Sequence, residues 1–446
     1  MDADVTASGT PAADGGDVGD TAEPAGSGDA EHTADADGPP RPRGRRRWLR
    51  WAGLGASVLV LAAAGTGWTL YQRLDGNIRT DTAAAEELAR HEEERPAAAT
   101  GEAGEARNIL LLGSDSRAGA NGKYGRTEGA RADTTILLHL SADRTGATAV
   151  SLPRDLMVDI PSCRTPDGGR STAQFAQFNW AFQAGGAACT IRTVERLTGI
   201  RIDHHLVVDF TGFTDLVDAV GGVEVCLPHD VYDEDAQLDL TAGRHVLAGE
   251  QALGYVRSRH AFDGSDTQRM ERQQEFLGSL VRKVRDEGTL TNPTELYPVL
   301  DAVTSSVTAD PGLDSLRELY DLTRDLRDIP DGGVRFLTVP RRPYSMDPNR
   351  DELVQPAARR LFEQLRADLP VRVGGTTQPA GHAPGTSPSA GPSPDAADTS
   401  PESATPSTPP RDGSSPGHTP VTEPTYRGTT AAQDTCSTEG EPIGRN

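Results

Sequence analysis

Apolar residues in this chain come in short runs separated by charged or Gly-rich turns, and their spacing predicts the elements. From Arg107 onward, NILLLG, TTILLHL, ATAVSL and LMVDI read as strands, each within the length that strands favour. The connections between them are too short for parallel crossovers, so this start predicts antiparallel neighbours. Helical patterns follow: FAQFNWAFQAGG closes on a Gly pair, and CTIRTVERLTG ends at Gly199, which reads as a C-cap. Then HHLVVDF reads as a strand, FTDLVDAVGG as a helix with another Gly stop, and VEVCL as a strand. Beyond Gly249 the pattern is mainly helical, with EQALGYVRSR, an amphipathic segment from about Asp266 to Arg285 and two more helices, before VRFLTV returns as a strand. The sum is an α/β fold: one domain whose central mixed, largely antiparallel sheet is covered by helices.

The flanks follow other rules. Trp51 to Tyr71 is uncharged, and at 1.5 Å per residue it spans roughly 30 Å, the thickness of a bilayer core. The expectation is one transmembrane helix at residues 48–71, with Trp48, Trp51 and Trp68 at its interfaces. Arg41, Arg43, Arg45, Arg46, Arg47 and Arg50 crowd its N-terminal side, which predicts a cytoplasmic N-terminus and an exported domain at the cell membrane. A cleaved signal peptide is the rival, but its apolar region normally covers about 7 to 15 residues and closes on an A-x-A-like site, which is not clear here. Residues 1–47 read as a disordered acidic, then Arg-rich tail, 72–106 as a stalk, 107–373 as the catalytic domain and 374–446 as a disordered Pro/Ser/Thr-rich tail. The net charge of −22 therefore overstates the acidity of the folded part. With the basic run explained by topology, no nucleic-acid partner is expected.

Four charged clusters adjoin the apolar runs: Asp115 and Arg117 after NILLLG, Arg131 and Asp133 before TTILLHL, Arg154 after AVSLP, and Arg257 with Arg259 after ALGYV. If the first three runs alternate in direction, the end of the first, the start of the second and the end of the third share one sheet edge. Several Arg with two Asp suit a pyrophosphate held with a divalent ion, because Arg offers a fixed fork of donors and Mg²⁺ takes one or two carboxylates plus substrate oxygens. Asp266, Arg269 and Gln273 fall at i, i+3 and i+7, on one helical face that can look into the same cleft. Strand ends and helix faces are ordinarily charged and solvated; the coincidence of all the clusters carries the argument. No P-loop, G-x-S-x-G elbow or H-E-x-x-H is present. His204 and His205, adjacent on a strand, point to opposite faces and make a poor metal pair, and His91 reads as solvent-exposed in the stalk.

Cys163, Cys189, Cys226 and Cys436 all follow the apolar segment, where an oxidising compartment permits disulfides, with free buried thiols as the main rival; without C-x-x-C spacing, zinc is not expected. Three pairings are possible. Cys163 and Cys189 bracket a loop and helix that one bridge closes locally, which leaves Cys226 to Cys436 and a tail folded back on the domain.

In combination and in order, NILLLGSDSR, RADTTILLHL, SLPRD, NWAFQAGG, DFTGFTDLVDAVGGVEV, GEQALGYVRSRH and DTQRMERQQ resemble the LytR-CpsA-Psr family of membrane-anchored cell-wall glycopolymer ligases. The resemblance covers about Asn108 to Val373. It implies transfer of a sugar phosphate from a glycan on polyprenyl pyrophosphate to a peptidoglycan hydroxyl, with release of polyprenyl phosphate. Carried over by motif, Asp115 and Asp133 resemble the carboxylates of Mg²⁺ (or Mn²⁺), and Arg131, Arg154, Arg257, Arg259 and Gln273 the pyrophosphate-binding set, with Arg117 and Asp266 as supports. Arg131, Asp133, Arg154, Arg257 and Arg259 are then the expected catalytic set. An apolar tunnel for the polyprenyl chain is also implied; Phe175, Phe178, Phe210 and Phe213 are its candidate lining or, on the ordinary reading, core. Two other readings stay open: a pyrophosphatase acting on the same lipid intermediates, and a regulatory or scaffolding membrane protein, against which the intact Arg and Asp set argues.

Overall fold

The computed structural model describes residues 43–100, 104–116, 119–124, 131–258, 266–286, 293–374 and 424–433. The chain divides into two compact units at Ala64/Gly65. Helix α1 (Arg43–Asn77) contains, at Trp51–Asn77, one stretch long and apolar enough to cross a membrane.

The central sheet is built from β1 (Arg79–Thr80), β2 (Arg107–Ser114), β3 (Ala132–Leu140) and β4 (Ala147–Ser151), with α2 (Thr82–Arg90) between the first two. A hairpin of β5 (Met157–Ile160) and β6 (Gln174–Gln177) leads into α3 (Asn179–Thr198), β7 (His204–Asp209) and α4 (Phe210–Ala219). Short strands β8 (Val223–Leu227), β9 (Val231–Asp233), β10 (Leu238–Leu240) and β11 (Gly243–Leu247) precede α5 (Gly249–Arg257), α6 (Asp266–Asp286) and α7 (Pro293–Ser306). Then come β12 (Val307–Ala309), α8 (Leu316–Arg327), β13 (Val334–Thr338), a second hairpin of β14 (Arg341–Tyr344) and β15 (Asp347–Leu353), α9 (Ala357–Arg366), β16 (Arg372–Gly374) and β17 (Thr425–Thr430).

Among the described residues the sheet runs β1-β12-β7-β2-β3-β4-β13-β17-β16. Its centre, β2-β3-β4, is antiparallel as expected, although only the β3–β4 connection is short, six residues (141–146) against seventeen (115–131) between β2 and β3. Four of the eight pairings are parallel, so the sheet is evenly mixed rather than largely antiparallel. Both faces are covered. Leu110, Leu112, Leu137, Val150 and Leu337 pack under α3 and α9, while Ile136, Ala149, Val334 and Phe336 pack under α6 and α8. Burial on both faces explains why these strands read as continuous apolar runs instead of alternating ones.

The two helices expected around the Gly pair are present as the two halves of α3, divided by a kink where Gly185 and Gly186 leave helical geometry. Gly186 has φ +62° and ψ −149°, a conformation side chains avoid, and a Cβ at Gly185 would press on the Arg164 carbonyl and on the Cβ atoms of Cys163 and Cys189. Those cysteines form a disulfide. Gly199 caps α3 in the left-handed region, its N–H donating to the Glu195 carbonyl. FAQ, read as helix, is strand β6. Cys226 is also disulfide-bonded; Cys436 lies outside the described residues, as do residues 1–42.

Residues 78–95 are not a stalk. β1 pairs with β12, Ile78 and Ala84 are buried, and three ion pairs fasten this segment to α3 and the loop after it: Arg95 to Glu195 at 2.7 Å, Arg192 to Glu94 at 2.9 Å and Arg201 to Glu92 at 2.7 Å. His91, expected in solvent, is largely buried and bonds the Glu87 carbonyl at 2.9 Å. The Pro/Ser/Thr-rich tail is likewise not uniform, because β17 returns to the sheet between β13 and β16. Tyr426 and Ala431 are buried there, and a Cβ at Gly428 would strike the Phe336 carbonyl, so the close approach needs glycine.

Candidate active site

The register of β2 on β3 sets Ser114 opposite Ala132 after a bulge at Gly113/Ser114. The next residues therefore face each other. The Asp115 N–H donates to the Arg131 carbonyl at 2.9 Å, and the Arg131 N–H donates to Asp115 Oδ1 at 2.6 Å. Asp115 is buried and Arg131 is exposed. β4 ends at Ser151 opposite Ile136, and the turn after it delivers Arg154 to the head of β3. There Arg154 Nη1 donates to Asp133 Oδ1 at 2.9 Å, and Nε donates to Asp155 Oδ2 at 3.2 Å. Burial works against its charge, but the Asp133, Asp155 and Asp266 carboxylates prevail and hold the guanidinium above its ordinary value. The first turn of α3 fixes the Arg154 backbone, the Asn179 N–H donating to its carbonyl at 3.0 Å.

β7 runs parallel to β2 with Asp209 opposite Ser114, and Asp209 caps α4 through the Gly212 N–H at 2.9 Å. The first residue of α4, Phe210, thus stands at the same edge. The Arg257 guanidinium, in the last turn of α5, lies 4.5 Å from the centre of its ring, a cation–π contact. α6 is stitched alongside: Gln273 Nε2 donates to the Val256 carbonyl at 3.1 Å, and Gln274 Nε2 donates to Ser151 Oγ at 3.1 Å and Thr338 Oγ1 at 2.9 Å, the ends of β4 and β13. Asp266, in the first turn of α6, accepts from Arg269 Nε at 3.0 Å and acts electrostatically on Arg154. Asp115, Arg131, Asp133, Arg154, Arg257, Asp266 and Gln273 are therefore gathered where β2, β3 and β4 meet the heads of α4 and α6. Arg117 and Arg259 lie outside the described residues.

The structure adds side chains that sequence reasoning passed over. Asp155 accepts from Gln177 Nε2 at 2.9 Å and pairs with Arg350 at 3.5 Å, while Arg341 bonds both Asp351 and the Thr267 hydroxyl. Burial pushes the Asp351 carboxyl up and Asp266 and Asp155 push it further, against Arg341. Asp155 stood in the SLPRD run and was there to be weighed. The β14–β15 contributions carried no such signal. The four phenylalanines do not form one lining: Phe178 is sealed in the core under α3, Phe213 packs in a second core among α4 to α7 and Phe175 is exposed. His204 and His205 bond Asp310 and Asp81 separately, on opposite faces of β7.

Among the described residues no three His, Cys, Asp or Glu side chains converge as a metal group. Asp115 and Asp133 supply two carboxylates, the number Mg²⁺ takes when phosphate oxygens and water complete its shell. A cleft of about 270 Å³ lined by Thr198, Arg359 and Arg366 lies at the other end of α3 from Asn179, away from this chemistry.

Fold and edge together define a class: an α/β domain, preceded by an apolar helix, that gathers arginines and aspartates at the heads of three adjacent strands. The signature of the LytR_cpsA_psr family matches residues 75–367, and the chain belongs to that family. The cell wall biosynthesis protein LcpA of Corynebacterium glutamicum is 34% identical over 311 residues, 64% of this chain and 58% of its own length. The polyisoprenyl-teichoic acid–peptidoglycan teichoic acid transferase TagU of Enterococcus faecalis is 34% identical over 212 residues, 48% of this chain and 64% of its own. The chain thus spans less than two thirds of either relative. The solved LytR-Csp2A-Psr enzyme from Actinomyces oris is 25% identical, with a TM-score of 0.48 over 61% of this chain and 93% of that one.

Proposed function

We propose that this protein transfers a glycopolymer phosphate from a polyprenyl-pyrophosphate carrier to a peptidoglycan hydroxyl on the outer side of the cell membrane. The observation that carries the reading is Arg154, held between Asp133 and Asp155 at the edge where Asp115, Arg131 and Arg257 also stand. Relatives named as teichoic acid–peptidoglycan transferases support it. Arg131, Arg154, Arg257 and Arg259 bind the two phosphates and neutralise charge as the bond to the leaving group breaks. Asp115 and Asp133 hold Mg²⁺ or Mn²⁺, which supplies charge stabilisation at the phosphate oxygens when bound. The acceptor oxygen bonds to the phosphorus carrying the sugar, the bridging P–O bond breaks, polyprenyl phosphate leaves with its electron pair and the hydroxyl proton passes to water. Positioning and charge carry most phosphoryl transfer, so a strong base is not required. Purified full-length protein, given a lipid-linked glycan and soluble peptidoglycan strands, tests this. Arg154→Ala should lower transfer by roughly ten- to a hundredfold, the loss of one charge-assisted contact, and chelation should abolish it. Glycan released only into water, or full activity in Arg154→Ala, rejects the proposal.

A further inference from the structure

Outside α1, seven large hydrophobic side chains are exposed among the described residues, and three of them lie on segments that reach Arg154 or Asp155. Phe175 is 53% exposed, Trp180 43% and Met346 81%. The Tyr344 ring lies against Phe175 with centroids 6.2 Å apart and planes tilted by 59°. Two hairpins hold these rings, and both are fastened to Asp155, the neighbour and carboxylate partner of Arg154. Phe175 and Gln177 are two apart on β6 and share a face; Gln177 bonds Asp155, which accepts from Arg154. Phe175 therefore stands about 7 Å along the strand from the residue that touches the partner of Arg154. On the other hairpin, the Asp351 N–H donates to the Asp155 carbonyl at 3.1 Å. A register shift between Pro343 and Tyr344 re-aims the end of β14, as bulges beside sites do. Trp180 follows Asn179, whose N–H bonds the Arg154 carbonyl.

We propose that this aromatic rim is a stacking platform for the pyranose rings of the acceptor glycan, a reading that rests on the transfer proposed above. Ring faces pack on the C–H face of a sugar and are partly amphipathic at Tyr344 and Trp180. The fringe offers both bonding senses to hydroxyl and acetamido groups: acceptors at Asp155 and Asp347, donors at Gln177 and Arg350. An anionic bilayer surface is a poorer occupant, because Arg350 is paired with Asp155 and Asp347 and Arg342 with Glu352, which leaves no excess of positive charge to draw it. A neutral N-acetylated glycan needs no such attraction. The platform would set the acceptor strand beside the phosphate site in a fixed direction.

The test uses the full chain in detergent micelles without donor, titrated with N-acetylglucosamine tetramer and followed by saturation-transfer NMR and Trp fluorescence. Wild type should bind; Phe175→Ala and Tyr344→Ala should each raise the dissociation constant about tenfold, and Phe175→Tyr should stay within about twofold of wild type. No binding by wild type, or unchanged affinity in both alanine variants, overturns the proposal. So does a result in which the alanine variants lose binding to phosphatidylglycerol vesicles while tetramer binding stays intact, which gives the rings to the membrane. Since no donor is present, the platform stands or falls apart from the chemistry. A wild type that binds tetramer but transfers no glycan rejects the transferase reading alone.

Discussion

Glu275, on α6 one turn after Glu271, offers a test of the packing in which the sign is set by charge burial. Burial pushes its carboxyl from 4.5 up to about 7, the Glu271 charge pushes the same way, and Arg272 opposes both. The native state therefore keeps a proton that the unfolded chain loses near pH 4.5. Stability is fully present below that value, falls as pH rises from about 4.5 through 7, and carries the whole penalty at pH 8. At about 1.4 kcal/mol per pKa unit the penalty is about 3.5 kcal/mol. The side chain is only half-buried, so solvent screening trims it to about 1–3 kcal/mol. Glu275→Gln keeps the shape and removes the charge. At pH 8 it should raise the melting temperature by roughly 3–8 °C, and at pH 4.5 by about 1 °C or less. Circular dichroism melts of full-length protein in micelles at the two pH values check this. An equal shift at both would assign the effect to packing, and no shift at pH 8 would refute the buried-charge argument.

The Cys163–Cys189 bridge closes 26 positions, so Cys163→Ser with Cys189→Ser should cost about 3 to 4 kcal/mol, read as a lower melting temperature without reductant. Non-reducing peptide mapping should find Cys226 linked to Cys436; alkylatable thiols at both positions would rule that pairing out. Deleting residues 375–446 removes β17, uncovers the edge of β13 and takes Tyr426 and Ala431 out of the core. The outcome should be a lower melting temperature and higher-order species in size-exclusion chromatography, because a bare strand edge templates association; a monodisperse product with unchanged melting would contradict it.

What could be read from sequence depended on how apolar an element is. The runs from Ile109 to Leu112 and Thr134 to Leu140 are buried on both faces and announce themselves, and Gly199 marks the end of α3 because its backbone is left-handed there. Once neighbouring runs alternate in direction, the end of the first, the start of the second and the end of the third share one sheet edge, which is why the meeting of Asp115, Arg131 and Arg154 could be anticipated. The β14–β15 hairpin could not, since RRPY and DPNRDEL carry prolines and charges and are held by ion pairs such as Arg341 with Asp351. The segment at 78–95 misled for the same reason: its Glu and Arg residues suggest a solvated helix, yet they dock on Glu195, Arg192 and Arg201. β17 is hidden by surroundings of low complexity, and its fit is marked only by one glycine.

The return of residues 425–430 to the sheet also makes this protein a natural candidate for division into two pieces. Fifty residues separate Gly374 from Thr425 in the sequence. A peptide spanning residues 424–433, offered in trans to a chain ending at Gly374, would find β13 on one side, β16 on the other, and Glu271 and Arg282 of α6 ready to bind Arg427 and the Ala431 carbonyl. Reassembly of that kind would turn completion of the sheet into a bimolecular event, with an affinity that can be titrated.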